Sequence, residues 1–145
     1  MQVEAASFIR DEVKQLDERI RAFLKFARPT EPHPDEFDIN EFVTEFFKNR
    51  EAKNRVKHTS FDLTEDLPQV FFDEDHLAQI LTNLYINIFE ASNKDAKILA
   101  RTALRNKKVV FELHDDGPGV PREIRKKIFD PFYTTDASGT GLGLS

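Results

Sequence analysis

Through the first 28 positions, apolar residues recur at alternating spacings of three and four: Ala6, Ile9, Val13, Leu16, Ile20, Phe23 and Ala27, with charges between them. This pattern predicts one amphipathic helix over residues 1–28, whose seam holds phase for about three heptads. So narrow a seam on so polar a helix suits a coiled coil or four-helix bundle. The alternative is a terminal helix lying on its own domain. Pro29, Pro32 and Pro34 end it, because proline lacks an amide proton and disfavours helix in the residue before it. Residues 29–38 therefore read as a linker, and as the domain boundary.

Beyond the linker the period changes repeatedly. Ile39, Phe42, Val43, Phe46 and Phe47 form the stripe of a second helix that Asp38 or Asn40 can cap. Residues 55–63 and 69–73 read as strands. A helix over about 74–92 follows, capped by Asp73 or Asp75, with Leu77, Ile80, Leu81, Leu84, Ile88 and Ala91 on its apolar side. Residues 96–105 and 108–115 read as two strands joined by a turn at Asn106-Lys107-Lys108. Pro121 opens a short helix over 121–129. Helices and strands alternate without a regular β-α-β rhythm. The expected fold class is an α+β sandwich, with helices on one face of a mixed or mainly antiparallel sheet.

Composition narrows the picture. A chain of 145 residues supports a modest core, and 14 Phe with two Tyr and no Trp imply that aromatic rings fill much of it. The net charge of −5 excludes a general nucleic-acid binder, which needs a basic face. With no Cys there are no disulfides or thiolate metal sites. No apolar run approaches a membrane span, and Met1 is followed by a mixed charged stretch rather than a signal peptide's apolar core.

Three features carry candidate chemistry. Asn83 and Asn87 lie one turn apart on one face of the 74–92 helix. Asparagine is a mediocre helix former and costly to bury alone, so these amides either serve a hard cation or a ligand phosphate, or reach solvent or a neighbouring loop. "HDDGPGV" ends a strand, with Asp115 followed by Gly117 and Gly119. Its carboxylate can accept from an exocyclic amine beside a backbone open to a flat ring, or the segment is a plain turn. "GTGLGLS" places Gly139, Gly141 and Gly143 at the chain's end. It lacks a P-loop lysine and follows no strand, so it offers amide protons to an anion or is a loose tail.

In that order, with "IFDPFYTT" between the last two, these segments resemble the N, G1, F and G2 boxes of the sensor histidine kinases, members of the Bergerat-fold ATPases. The resemblance covers residues 39–145. "IRDEVKQLDERIRAFLKFARP" resembles the second helix of those kinases' dimerisation and histidine-phosphotransfer hairpin, particularly the nitrogen-regulation type. It implies three parts: that helix over 1–28, the linker over 29–38, and an ATP-binding domain over 39–145. It implies ATP and Mg2+ as ligands, with Asn87 on the metal and Asn83 at a phosphate. Asp115 would recognise the adenine amine, with Gly117 and Gly119 shaping its pocket. Phe132, Thr134 and Thr135, with Phe129, would begin a flexible lid. Gly139, Thr140, Gly141, Leu142 and Gly143 would close over the phosphates and open a helix. In the family, a helix and strand hairpin then complete the sheet, so the domain is expected to be incomplete here.

The resemblance also implies a cytoplasmic kinase that dimerises through the N-terminal helix, works with a response regulator and meets a membrane only through the parent protein. None of His33, His58, His76 or His114 fits the family's phosphoacceptor pattern, so the acceptor is expected on another segment. Asp136 stands where the family often has Lys, and Ile88 where it usually has Ala. An anion near a triphosphate weakens binding by about 1 kcal/mol at an exposed site. These departures frame an alternative: a non-catalytic dimerisation or protein-contact module with a degenerate nucleotide site. A gyrase or MutL branch is disfavoured, since Gln79 and Ile80 stand where those ATPases carry a catalytic Glu.

Overall fold

The computed structural model describes residues 9, 10, 12, 13, 16, 17, 20, 24, 31–54, 59–92, 96–135 and 139–145. These fall into two compact units: Pro32–Gly119, and Met1–Glu31 together with Val120–Ser145.

The Pro32–Gly119 unit runs β1 (Asp35–Phe37), α1 (Ile39–Asn54), β2 (Thr59–Leu63), β3 (Val70–Phe72), α2 (Glu74–Ala91), β4 (Ile98–Arg105) and β5 (Lys108–Asp115). Its main sheet has the order β2-β4-β5, with β2 parallel to β4 and β5 antiparallel to it. The sheet is thus mixed, as the sequence pattern implies. β1 and β3 form a separate antiparallel pair, with Asp35 opposite Phe72 and Phe37 opposite Val70. β1 lies inside the proline-rich stretch read as a linker. Three residues carry no usable period, and what makes them a strand is a partner 33–37 positions away.

Local chemistry sets the element ends. The Asp38 carboxylate accepts from the amides of Asn40 and Glu41 at 2.7 and 3.2 Å, so Asp38 caps α1. Asn106 and Lys107 both have positive φ, 50° and 62°, which is type I′ turn geometry matched to the twist of the β4–β5 hairpin. Along β4, Ile98, Ala100 and Thr102 are buried while the residues between them are not, so one face of the sheet is covered.

That face meets both helices. Phe37, Ile39, Val43 and Phe47 join Leu81, Tyr85, Ile98 and Ala100 in one buried cluster. Phe47 is fully buried, edge-on to Phe46 at 5.2 Å and 6.2 Å from the Tyr85 ring. Tyr85 in turn lies 4.5 Å from Phe89. Ile80 and Ala91, expected on the apolar side of α2, are exposed, because the buried line runs through Leu81 and Tyr85 instead.

Two polar ties flank the aromatic core. At the start of α1, Thr102 donates to the Asn40 side-chain oxygen at 2.8 Å and accepts from the Thr64 amide at 3.1 Å. The Asn40 side-chain Nδ2 donates to the Thr64 carbonyl at 2.8 Å. Further along α1, Arg50 donates to the Thr82 hydroxyl of α2 at 2.6 Å, with its guanidinium 5.1 Å from the Phe46 ring centre.

In the other unit, the described positions between 9 and 24 are all helical. The seam residues Ile9, Val13, Leu16 and Ile20 are 48–61 % exposed there, leaving an apolar stripe uncovered. Ala6, Phe23 and Ala27 lie outside the described residues. Residues 121–129 form successive turns ending in a 3-10 helix, Lys127–Phe129, rather than the expected α-helix. The segment is too short to offset the cost of helix nucleation, and five of its residues are charged.

Thr102→Val should test the tie at the start of α1. It leaves the Asn40 oxygen and the Thr64 amide without their partner, and should lower stability by about 1–3 kcal/mol. Denaturant unfolding at unchanged m-value is the measurement.

Candidate functional site

α2 is the element that positions the candidate cation ligand. Asp73 caps it, accepting from the His76 amide at 2.8 Å. Glu74 and Asp75 in its first turn complement the helix dipole. The second Asp73 oxygen accepts from the His33 amide at 2.6 Å and lies 3.4 Å from His76 Nδ1. The His76 and His33 amides, with the His76 ring beside them, hold the Asp73 carboxyl below its usual range against the opposing effect of burial.

With Leu81 and Tyr85 in the core, Asn83 and Asn87 fall on another side of α2, both half-buried. Among the described residues, no hydrogen bond engages the Asn87 side chain. A half-buried amide oxygen without a protein partner is a suitable donor for a hard cation. Magnesium keeps most of its waters and leans on substrate phosphates, so a single protein oxygen fits its habits. No group of three His, Asp or Glu suited to a metal occurs among the described residues. Ile88, the residue that departs from the family's Ala, is half-buried and packs against the core cluster.

β5 delivers Asp115 at its end, opposite Ile98 and in step with Leu113 and Phe111, toward the helix-covered face. One Asp115 oxygen accepts from the Gly117 amide at 2.9 Å. The other has no hydrogen-bond partner among the described residues, leaving an acceptor for an amine. The loop is fixed from behind: Asp116 accepts from the Lys97 amide at 2.7 Å, and its own amide donates to the Lys97 carbonyl at 3.3 Å.

Ser92 joins the two parts. It ends α2 by donating from its hydroxyl to the Ile88 carbonyl at 2.7 Å. A Cβ at Gly117 would lie 2.9 Å from that hydroxyl and 2.6 Å from the Asp115 oxygen. A side chain at 117 would thus push the Asp115 carboxylate and the Ser92 hydroxyl out of their places, whereas Gly119 has open surroundings but a φ of +69°. Asn83, Asn87, Asp115, Gly117 and Gly119 thus belong to one unit. Sequence reasoning missed Ser92, although a serine directly after an apolar helix is a readable stop. It also missed the His33–Asp73 bond, for which no local signal exists.

The remaining candidates belong to the other unit. Phe132 has a φ of +68°, uncommon for a bulky residue, and its amide donates to the Gly141 carbonyl at 2.8 Å. Gly141 has a φ of +65°, and a Cβ there would sit 2.4 Å from the Phe132 carbonyl carbon. The backbones of the "FYTT" and "GTGLGLS" segments are thereby locked together. Phe129, Phe132, Thr134 and Thr135 are exposed, Gly139, Thr140, Gly141 and Leu142 are half-buried, and Gly143 is exposed. Residues 139–145 form bends and not the expected helix start. Asp136 lies outside the described residues.

A family model described as histidine kinase-, DNA gyrase B- and HSP90-like ATPase matches residues 72–145. The signal transduction histidine-protein kinase AtoS of Escherichia coli (strain K12) is 32 % identical over 146 residues, covering 98 % of this chain but 24 % of AtoS. The chain thus spans about a quarter of that relative's length. Among solved structures, the nucleotide-free catalytic domain of histidine kinase ThkA is 36 % identical, with a TM-score of 0.64 over 77 % of this chain and 75 % of that one. ThkA solved with response regulator protein TrrA matches at 27 % identity and TM-score 0.70, over 88 % and 39 %. Full-length ShkA with AMPPNP matches at 26 % identity and TM-score 0.76, over 99 % and 32 %.

Gly141→Ala should break the lock on Phe132. Hydrogen exchange of the Phe132 amide should accelerate roughly tenfold or more, in line with the strain of a displaced left-handed pair. Asp73 should dominate part of the acid limb. Its folded pKa is depressed below the ordinary 3.8, so its contribution is full above that value and is lost as pH falls through the folded value. Denaturation midpoints should therefore fall below about pH 4 in the wild type, and fall less steeply in Asp73→Asn.

Proposed function

The chain belongs to the histidine kinase-, DNA gyrase B- and HSP90-like ATPase family, and on that premise we propose that it binds ATP with Mg2+ as the phosphoryl-donating part of a two-component sensor histidine kinase. The observation that carries this reading is the pairing, in one unit, of an Asn87 oxygen and an Asp115 oxygen that have no hydrogen-bond partner among the described residues. The likeness to AMPPNP-bound ShkA supports it.

In this reading Asp115 accepts from the adenine amine, while Gly117 and Gly119 let the ring approach the main chain. Asn87 ligates Mg2+ and Asn83 meets a phosphate. The metal supplies charge neutralisation at the phosphates. Phe132, Thr134 and Thr135 begin the lid, and the amides of Gly139, Thr140, Gly141, Leu142 and Gly143 serve the phosphates. An imidazole nitrogen of a histidine on a separate segment attacks the γ-phosphorus. The bond to the β-γ bridging oxygen breaks, and ADP leaves with that electron pair.

His33, His76 and His114 have other surroundings. The His33 amide and the His76 ring and amide serve Asp73, and His114 lies 3.8 Å from Glu112. The exposed stripe of Ile9, Val13, Leu16 and Ile20 is the surface for a second copy of the chain, burying apolar area that water now covers. A response regulator is the downstream partner, by analogy with ThkA and TrrA. The site of action is cytoplasmic; no described helix is long and apolar enough to cross a membrane.

Calorimetric titration with AMPPNP should give saturable heat only with Mg2+. Asp115→Ala should weaken binding about tenfold or more, as expected for a lost hydrogen bond to a charged group. Asn87→Ala should abolish the magnesium dependence. Absence of magnesium-dependent heat in the wild type refutes the proposal and leaves the non-catalytic module in its place.

A further inference from the structure

Asp73 makes two bonds of different kinds. One oxygen caps α2 through the His76 amide, an ordinary local task. The other accepts from the His33 amide, 40 residues earlier in the chain. His33 stands between Pro32 and Pro34, so its backbone is confined to extended conformations and has few alternative partners. The bond lies just past the end of the β1–β3 pairing, whose last pair is Asp35 with Phe72, and is made by a side chain instead of the strand backbone. The carboxylate is 8 % exposed and both oxygens are engaged.

α2 then runs as an unbroken helix to Ala91, with Asn83 about 15 Å and Asn87 about 21 Å from its start. Its far end meets the Asp115 loop through Ser92 and Gly117. A displacement of the helix start moves both asparagines together, because a packed helix shifts as one body.

We infer that Asp73 is a positioning residue that ties the backbone of His33 to the helix bearing Asn83 and Asn87, so that the segment entering the domain sets its affinity for nucleotide. This inference rests on the nucleotide reading above. It assigns to the proline-flanked segment a thermodynamic link to the site: whatever moves His33 changes nucleotide affinity, and nucleotide reciprocally holds His33.

Two substitutions cut the same bond from opposite ends. Asp73→Ser keeps a good cap for α2, yet its one short hydroxyl cannot also reach His33. His33→Pro removes the amide proton at a position already held extended, and with it an imidazole that makes no hydrogen bond among the described residues. The binding of AMPPNP with Mg2+ is measured by calorimetry on the whole chain, in the wild type, both single variants and the double variant. Each single variant should retain cooperative unfolding and lose affinity by about fivefold or more. The double variant should be no weaker than the worse single one, a non-additivity that independent structural damage does not produce. Wild-type heat that persists at unchanged affinity in His33→Pro overturns the inference alone, as do strictly additive losses. Absence of magnesium-dependent heat in the wild type overturns the nucleotide reading and this inference with it.

Discussion

Phe47 lies where two helices and a sheet converge, and the placement of everything around it follows from filling that space. It is fully buried, with Phe46, Phe61 and Tyr85 within ring-contact distance. Tilted and edge-to-face rings pack with defined geometry, unlike aliphatic chains that slide over one another. Once Tyr85 is turned toward Phe47, the roll of α2 about its axis is set. Asn83 and Asn87 are thereby kept off the core side. The site's orientation is a by-product of aromatic packing, which explains a core so rich in phenylalanine and without tryptophan.

What could be read in the sequence was what local chemistry controls. The β4–β5 hairpin was legible because its alternation and its Asn-Lys turn agree. α2 was legible from its cap and its apolar spacing, although its roll was not: Ile80 looked internal, and only the position of Phe47 shows that Tyr85 is. β1 could not be read, since its three residues take their conformation from β3. The ties of Asn40 to Thr102 and of Asp73 to His33 span 62 and 40 residues and leave no pattern in either segment. The turns at 121–129 differ from the expected helix because a proline start signal cannot supply the length that helices need.

The candidate site residues were legible for a different reason. Asparagine on a helix beside a core, and glycines just after a strand-end carboxylate, are choices that packing alone does not explain. At Gly117 the absence of a side chain lets the Asp115 carboxylate and the Ser92 hydroxyl keep their places. Ile88 goes the other way. In the sequence it is a departure from the family's Ala, and in the fold it packs against the core.

The two ties of α1 have a mechanical consequence. A helix of 16 residues is about 24 Å long, and pinned at one end alone it is a lever. A rotation of about ten degrees at the pin would sweep its tip through about 4 Å by that length. Asn40 fixes the near end to the sheet and Arg50 fixes the outer half to α2 at Thr82, one residue before Asn83. The helix is then a strut under two supports rather than an arm.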